Sequence, residues 1–382
     1  MKGCAMDQAV FGIIGVGGIA QSQHLPNLTR APHIRLKTVC DLREDVLAEM
    51  KAKYDVPHSE TDYRKMLADP EIDAVVVATR EDMQATLAIE VMKAGKHVYV
   101  EKPLAETPEA VEAVVAAQKA SGKFACVGFN RRISPAYRKA KEVVCSDGGP
   151  KNVHYRISDE YWSWGKKYPP GVRVIHEVCH IFDLLRWFTD SDPVSIYCVE
   201  SRPDDEIFVI KFGSGCVASI MNSGFVTMDM PKEHLEIVSE LGSVIVEEFV
   251  ECRTYGYKDF DHVYRFAGHT HPDRDLTHKY LLQKDGASAL HGLRRMGWEQ
   301  RERAETIADD ALDRAEHEAF RKTAPHWNYM VDKGWLTAVD HFAQCIMSGD
   351  KPDIASASDG LWSSRMSEAA IKSRETGEVV RF

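Results

Sequence analysis

The chain has 382 residues, a formal net charge of −10, 44% hydrophobic residues and 28% charged residues. This balance is typical of a globular protein, and the length predicts two domains. Because the net charge is negative, we expect neither nucleic acid nor an anionic membrane surface as a partner.

Nine cysteines are scattered along the chain, and none of them forms a C-x-x-C pair. This pattern argues against a secreted disulfide framework and against a cysteine zinc site. The N-terminal apolar run follows Asp7 and Gln8 and is interrupted by glycines, so it predicts a first strand rather than a signal peptide. No apolar stretch approaches the ~20 residues of a membrane span. We therefore expect a cytoplasmic protein.

The first third of the chain alternates between short apolar runs and helical patterns. This repetition, with almost continuously apolar strands, predicts an α/β domain over 1–128 built on a doubly wound parallel sheet that is covered on both faces. The predicted strands are 10–14, 34–40, 74–79, 97–100 and 124–128. The predicted helices are 19–29, 45–54, 83–94 and one that Thr107 or Glu109 opens.

The remainder, 129–382, predicts an α+β domain with one large, mainly antiparallel open sheet, because short strands are joined by glycine-containing turns. Helices over 335–348 and 359–376 are expected to pack back on the first domain. The polar segment 286–325 predicts a surface helix, with a lid or a subunit contact as the alternative. The other predicted elements are a helix over 173–188 and strands over 152–158, 194–200, 206–212, 216–222, 234–239 and 243–247.

A glycine-rich loop, Gly15-Val16-Gly17-Gly18-Ile19-Ala20, follows the first predicted strand. Gly15 permits a tight turn, Gly17 lets the backbone approach a pyrophosphate, and Ala20 lets the next helix lie close to the sheet. The N-terminus of that helix offers free amide groups to phosphates. A glycine-rich turn without a ligand is the alternative.

An acidic residue, Asp41, follows the second predicted strand. An acid in this place accepts hydrogen bonds from an adenosine ribose and repels a 2′-phosphate, so it favours NAD as the cofactor. Arg43 could accommodate that phosphate, which leaves NADP as the alternative.

The tripeptide Glu101-Lys102-Pro103 follows the strand predicted over 97–100, at the carboxyl edge of the sheet where ligands of open α/β folds bind. A lysine there could hydrogen-bond a substrate hydroxyl and stabilise negative charge that develops on it. Pro103 restricts the residue before it to extended geometry, and the bond between the two could be cis.

In their order, these motifs resemble the Gfo/Idh/MocA family of oxidoreductases over nearly the whole chain. The ordered set is more specific than any one motif. It comprises the glycine loop, Asp41, Glu101-Lys102-Pro103, Gly128-Phe129-Asn130-Arg131-Arg132, Cys179-His180-Ile181-Phe182-Asp183-Leu184-Leu185 and a terminal S-x-x-T-G-x-x-V pattern at 373–380.

The resemblance implies an N-terminal Rossmann domain and a C-terminal domain whose open sheet packs against another subunit. It also implies NAD(P)-dependent oxidation or reduction of a small sugar, glycoside, cyclitol or related polyol. We expect a homo-oligomer, either a dimer or a tetramer, and no metal.

The resemblance also assigns site residues. Lys102 takes the place of the catalytic lysine, and His180 takes that of the histidine that exchanges a proton with the reacting hydroxyl, a role that suits the pKa of histidine. Asp183 could orient His180 or hold a neighbouring hydroxyl. The expected substrate contacts are Asn130, Arg131, His176 and Asp183. The expected cofactor contacts are Gly15, Gly17, Gly18, Ile19, Asp41, Thr79, Glu101 and Lys102.

The chain departs from the family pattern at three positions. Many members carry an aspartate four residues before the histidine, where this chain has His176. Arg80 and Gln84 replace the proline and histidine that often follow the third strand. The contact at 176, and with it the acid–base pairing, therefore differs from the family pattern.

Two alternative functions use the same residues. The run 176–180 also matches the H-E-x-x-H motif of zinc proteases, with Glu177 as general base and Glu200 as a candidate third ligand. We favour metal-free histidines, because the dehydrogenase framework does not need zinc. The second alternative is a glycosidase that retains NAD and recycles it, in which transient oxidation of a glycoside hydroxyl permits elimination of the aglycone.

Further aromatic and basic residues could line the substrate pocket. Tyr161, Trp162 and Trp164 are expected either to pack within a loop or to stack on a sugar ring. Arg131 or Arg173 could contact an acidic or polyhydroxylated substrate.

Overall fold

Six parallel strands form the first sheet, in the order β3-β2-β1-β4-β5-β6. The computed structural model describes residues 8–160, 169–227, 229–268, 277–307 and 331–382. The strand order reverses between β1 and β4, and ligands of open α/β sheets bind outside the carboxyl ends of the strands at such a point. The strands are β1 (Ala9–Ile14), β2 (Ile34–Cys40), β3 (His58–Glu60), β4 (Ala74–Val77), β5 (His97–Val100) and β6 (Ala125–Val127).

Both faces of this sheet are covered by apolar packing, as the sequence predicts. Alternate residues of each strand point to opposite faces. On one face Phe11 packs in a cluster with Leu25 and Phe342, and on the other Val75 packs in a cluster with Leu87. The helices that follow strands of this sheet are α1 (Leu25–Leu28), α2 (Glu44–Lys53), α3 (Tyr63–Leu67), α4 (Glu81–Lys93) and α5 (Pro108–Ser121).

The helix predicted over 19–29 is not a regular α-helix. A π-helical turn (Ala20–His24) comes first, and the short α1 follows it. Pro26 stands in the first turn of α1, where its missing amide hydrogen is not needed. The predicted start of α5 is confirmed, because the Thr107 side chain caps the helix by accepting a hydrogen bond from the Ala110 amide.

A second sheet has nine strands in the order β14-β13-β12-β11-β7-β10-β9-β8-β15. Among the described strands of this sheet, β7 and β10 pair in parallel and the other neighbours are antiparallel, which confirms the predicted mainly antiparallel sheet. The strands are β7 (Asn152–Glu160), β8 (Pro193–Arg202), β9 (Asp205–Phe212), β10 (Val217–Val226), β11 (Glu233–Val238), β12 (Ser243–Glu247), β13 (Glu251–Tyr255), β14 (Val263–Arg265) and β15 (Val380–Arg381).

The remaining helices include two that the sequence does not predict, α6 and α8. α6 packs against β12 and β13 through its buried face. Within the polar segment 286–325 the structure describes a helix as far as residue 307, and 308–325 lie outside the described residues. The helices are α6 (Pro135–Cys145), α7 (Cys179–Thr189), α8 (Thr277–Asp285), α9 (Ala287–Ile307), α10 (Trp335–Ser348) and α11 (Ala357–Thr376), and a π-helical turn (Val174–Val178) precedes α7.

The chain divides into two units that alternate along the sequence. The first comprises Met1–Ser134, Val174–Trp187 and Gly334–Lys372, and therefore contains the six-stranded sheet, α10 and most of α11. The second comprises Pro135–Arg173, Phe188–Lys333 and Ser373–Phe382, and contains the nine-stranded sheet. None of the helices in the described ranges has both the length and the apolar character to cross a bilayer.

Candidate active site

The glycine loop begins where β1 ends. Gly15 adopts a φ of +90°, and its amide donates to the Cys40 carbonyl at 2.8 Å. A Cβ at this position would lie 2.4 Å from the Ala78 carbonyl oxygen. The turn therefore requires glycine for its backbone angle and for its close approach to the end of β4.

The next two glycines, Gly17 and Gly18, leave open space beside the backbone. A Cβ at either position would have no neighbouring heavy atom within 4 Å. Ile19 follows, half-buried, and Ala20 is fully buried at the start of the π-helical turn. A loop of bare backbone at the start of a helical segment suits the pyrophosphate of a dinucleotide.

Asp41 lies beside this loop. Its Oδ2 accepts a hydrogen bond from the Val16 amide at 2.9 Å, and Arg43 binds both carboxylate oxygens at 3.0 and 3.2 Å. Partial burial raises the pKa of Asp41, but the hydrogen bonds from Arg43 and Val16 outweigh it and hold the pKa below its usual value. The carboxylate is thus ionised at neutral pH and can accept ribose hydroxyls.

Thr79 follows β4 and adjoins the Gly15 turn, because its Cγ2 would lie 3.1 Å from a Cβ at 15. Its carbonyl accepts a hydrogen bond from Gln84 Nε2 at 3.2 Å. Gly15, Asp41 and Thr79 therefore come from the ends of β1, β2 and β4, which are neighbours in the sheet. These residues fit the adenosine end of a dinucleotide bound at the reversal of strand order.

Glu101 is buried directly after β5, with only 3% of its surface exposed. Its Oε1 is 2.7 Å from His24 Nε2, and its Oε2 accepts the Lys102 amide at 3.1 Å. The His24 ring in turn packs edge-on against Tyr99 and Trp335. Glu101 thus anchors the backbone of Lys102, and its role as a cofactor contact stays a prediction.

Lys102 extends from the end of β5 toward the π-helical turn 174–178. The Lys102–Pro103 peptide bond is cis, as the sequence suggests. The Lys102 ammonium donates to the His176 carbonyl at 2.5 Å, and it lies 4.0 Å from Glu177 Oε2. This contact brings the lysine to the turn that leads into His180.

Carboxylates surround His176 and Lys102. His176 Nδ1 lies 3.3 Å from Glu81 Oε1, and His176 Nε2 lies 3.7 Å from Glu106 Oε1. The hydrogen bond from His176 outweighs partial burial and lowers the pKa of Glu81 to about 2. Glu177 accepts from Arg131 at 3.1 Å. The predicted residues His176, Arg131 and Lys102 are therefore connected, with Glu177 between the two cations.

His180 is the second residue of α7 and is buried, with 4% of its surface exposed. Its ring packs edge-on against Phe129 at a centroid distance of 5.6 Å. Asn130, which opens a 3-10 turn (Asn130–Ile133), is likewise buried. Burial raises the pKa of the neighbouring Cys179 thiol to about 12, so this cysteine is a thiol at neutral pH and a poor nucleophile.

Asp183 lies one turn further along α7, where it is buried and bound by Arg132. Arg132 donates from Nε at 2.7 Å and from Nη2 at 2.5 Å, and it also lies 3.1 Å from Asp359. Burial raises the pKa of Asp183 to about 6, although the charge of Arg132 opposes this shift. The carboxylate is engaged by an arginine, and its role as a substrate contact stays a prediction.

Arg173 belongs to the second unit and is 1% exposed. It donates to Asp159 at 2.9 Å and to Asn222 at 2.9 Å. Tyr161, Trp162 and Trp164 lie outside the described residues. The Arg173 guanidinium is therefore bound by the buried side chains of Asp159 and Asn222. The role of the three aromatic residues stays a prediction.

Three site neighbours, Glu81, Glu106 and Asp359, lie outside the motifs, and Arg132 lies within a motif but was given no role. The one available signal was Glu81, an acid at the first position of a helix that follows a strand of the parallel sheet. In the part of the chain that the structure describes, no three His, Cys, Asp or Glu side chains are grouped so that they could hold a metal ion. The H-E-x-x-H alternative gains no third ligand from that part.

Comparison with known proteins gives two matches to family models. Residues 10–129 match the oxidoreductase family with an NAD-binding Rossmann fold, and residues 151–382 match the C-terminal α/β domain of the same family, GFO_IDH_MocA. Together the two models span most of the chain.

Individual relatives cover a smaller share. An uncharacterized oxidoreductase, YrbE, of Bacillus subtilis is 27% identical over 56% of this chain and 67% of its own length. Myo-inositol 2-dehydrogenase of Thermotoga maritima is 30% identical over 56% of this chain and 68% of its own length. Myo-inositol dehydrogenase of Lactobacillus casei, solved with NAD(H) and myo-inositol, shares the fold at a TM-score of 0.70 and 18% identity, covering 98% of this chain and 97% of its own.

Proposed function

Because this chain belongs to the Gfo/Idh/MocA oxidoreductase family, whose Rossmann fold binds NAD, we propose that it oxidises a secondary hydroxyl of a cyclitol or sugar. The inositol dehydrogenases among its relatives support this substrate class. Lys102 and His180 assist the transfer of the hydroxyl proton.

The observation that carries the proposal is the hydrogen bond from the Lys102 ammonium to the His176 carbonyl. It holds a cation at the carboxyl end of β5, against the π-helical turn Val174–Val178, in which His176 stands four residues before His180. Carboxyl ends of parallel strands are where open α/β folds bind their ligands. A cation and an imidazole in this place can share the proton of one substrate hydroxyl.

Some residues of the chain bind the cofactor, and others act on the proton of the substrate hydroxyl. Bound NAD would supply the hydride acceptor for the substrate carbon. The glycine loop leaves space for the pyrophosphate, and Asp41 accepts the ribose hydroxyls. Lys102 donates to the substrate oxygen and stabilises its negative charge, and His180 takes up the hydroxyl proton.

Residues around Lys102 supply further candidate substrate contacts. Arg131 reaches Glu177, and His176 lies between Glu81 and Glu106, so donors and acceptors alternate around the lysine. A polyol presents the same alternation, because each hydroxyl both donates and accepts. We propose Asn130, Arg131 and His176 as the residues that select such a substrate.

The test is to incubate the purified protein with NAD and a panel of inositols, aldoses and simple glycosides while following the absorbance of the reduced nicotinamide. The proposal expects reduced nicotinamide with at least one inositol or aldose, together with the keto product by mass spectrometry. Turnover of glycosides with retained NAD and no reduced nicotinamide in solution would instead support the glycosidase alternative. Loss of activity on zinc chelation would support the zinc alternative.

We also propose that the protein is a homo-oligomer that uses the outer face of its second sheet. Val199 and Ile207 pair across β8 and β9 on this face, Val209 lies next to them, and all three are partly exposed. An apolar face of this kind is a common protein contact surface. Light scattering after size exclusion is expected to give a dimer or tetramer, and Val209→Asp is expected to shift the mass toward the monomer.

A further inference from the structure

Three elements of the first unit converge on His176. Glu81, the first residue of α4, approaches its Nδ1, and Glu106, just before α5, approaches its Nε2. Lys102, after β5, donates to its backbone carbonyl. The position of His176 and the position of the Lys102 ammonium are therefore physically linked.

Of the two carboxylates, Glu81 holds the ring more firmly. It is closer, at 3.3 Å against 3.7 Å, and its side chain is 26% exposed against 53% for Glu106. The pKa of Glu81, about 2 because of the hydrogen bond from His176, agrees with a strong contact. A partly buried hydrogen bond fixes geometry better than an exposed ion pair does.

The other charged groups near Lys102 do not replace this contact. Glu177 lies 4.0 Å from the ammonium and accepts a closer hydrogen bond from Arg131, at 3.1 Å. The His176 carbonyl is thus the nearer acceptor for Lys102. Any shift of the His176 backbone moves that acceptor directly.

We propose that Glu81 is a positioning residue: it fixes the His176 side chain and, through the His176 carbonyl, holds the Lys102 ammonium in its working place. An effect of Glu81 on turnover rests on the proposed function, in which Lys102 acts on the substrate oxygen. An effect of Glu81 on the position of the Lys102 ammonium does not depend on that function.

The chemical reactivity of Lys102 tests whether Glu81 controls the position of the Lys102 ammonium. The NAD-loaded protein is treated with a limiting dose of an N-hydroxysuccinimide ester of acetic acid, and acetylation of Lys102 is quantified by peptide mass spectrometry. The variants are Glu81→Ala and Glu81→Gln. Asp82→Asn is the matched control, because Asp82 is the next residue of α4 and its exposed side chain pairs with Arg80.

Removal of the Glu81 carboxylate is expected to raise the acetylation of Lys102 several-fold, while Glu81→Gln, which keeps an acceptor oxygen, gives a smaller rise. Asp82→Asn is expected to leave it unchanged. Equal acetylation in Glu81→Ala and the unsubstituted protein would overturn the proposal. Thermal unfolding checks that all variants are folded before labelling.

Turnover provides the second readout. Glu81→Ala is expected to lower kcat by about tenfold to a hundredfold with little change in KM for NAD, because a small misplacement of a reacting group is costly. A rise in KM for NAD at unchanged kcat would contradict a positioning role. If the unsubstituted protein oxidises no polyol, the proposed function fails, whereas the acetylation result still decides where Lys102 is held.

Discussion

Arg132 donates hydrogen bonds to both carboxylate oxygens of Asp183, at 2.7 and 2.5 Å, and both side chains are buried. Asp359 lies 3.1 Å from the same guanidinium. The pair connects the turn after β6 with α7, the helix that carries His180. The Arg132–Asp183 pair therefore fixes the position of α7 and also stabilises the first unit.

Asp183→Asn is expected to lower the free energy of unfolding by about 3 kcal/mol, because the amide NH2 group would replace one of the two oxygens to which Arg132 donates and leave a buried guanidinium N–H without its acceptor. Urea unfolding measures this change. Glu112→Gln is the matched control, since Glu112 forms an exposed pair with Arg365 and is expected to cost no more than about 1 kcal/mol. A loss for Asp183→Asn as small as that of the control would contradict the structural role of the pair.

Removal of either proposed proton-transfer group is expected to stop turnover without releasing the cofactor. Lys102→Ala and His180→Ala should each lower kcat by about a hundredfold or more, the usual effect of losing a general acid or base. The glycine loop and Asp41, to which we assign the pyrophosphate and the adenosine ribose, are unchanged in both variants, so the NAD dissociation constant, measured by calorimetry, should change little. A folded variant with normal turnover would remove that residue from the proposed mechanism.

The first sheet was predictable because its strands are short runs rich in apolar and β-branched residues that alternate with helical patterns. Ile34–Cys40 and His97–Val100 have the predicted bounds. His58–Glu60 was missed, because a three-residue edge strand of polar residues carries no apolar pattern. The start of α3, by contrast, could have been predicted from Asp62, because an aspartate commonly caps a helix N-terminus. The Asp62 side chain accepts a hydrogen bond from the Arg64 amide.

The candidate site was predictable only as a set of motif residues. The order of the motifs named Lys102 and His180, but it could not show that Lys102 binds the His176 carbonyl. Contacts such as His24 with Glu101 join residues 77 positions apart, and no local periodicity records them. The π-helical turn before α7 also has no simple sequence signature.

Two glycines of the phosphate loop are expected to respond differently to the same substitution. Gly17→Ala should leave the melting temperature unchanged, because its Cβ meets nothing within 4 Å. It should weaken NAD binding by about tenfold or more, or ~1.4 kcal/mol, because the methyl group fills the space that the pyrophosphate approaches. Gly15→Ala should instead destabilise the fold by about 1–3 kcal/mol, since its Cβ would lie 2.4 Å from the Ala78 oxygen at a φ of +90°.

Calorimetry and thermal unfolding of the two variants separate these effects. NAD affinity that is unchanged in Gly17→Ala would show that the loop does not hold the pyrophosphate. A Gly15→Ala protein as stable as the unsubstituted one would contradict the close approach of the loop to the end of β4.

Asp41→Ser is expected to shift the cofactor preference toward NADP. The substitution removes the carboxylate that would repel a 2′-phosphate and frees the Arg43 guanidinium, which now binds both oxygens of Asp41. A hydrogen bond to a charged group is worth about 1.5–3 kcal/mol, so the ratio of kcat/KM for NADP over NAD should rise by about tenfold to a hundredfold. The double variant with Arg43→Gln should lose most of this gain. An equal gain in the double variant would exclude Arg43 as the phosphate partner.

Asp359 is expected to make the stability of the protein depend on acid pH. Burial raises its pKa, but the charge of Arg132 and hydrogen bonds from Ser356 outweigh it and lower the pKa from 3.8 to about 2. Because the folded state favours the ionised form, the contribution, about 2 kcal/mol, is present above pH 4 and is lost as the pH falls toward 2. Asp183 has the opposite effect because its folded pKa is raised: its protonation stabilises the folded state as the pH falls from 6 to 4. The stability difference between the unsubstituted protein and Asp359→Asn should therefore be large at pH 7 and shrink below pH 4 in urea unfolding. A difference that stays constant from neutral to acid pH would contradict the ion pair of Asp359 with Arg132 as its source.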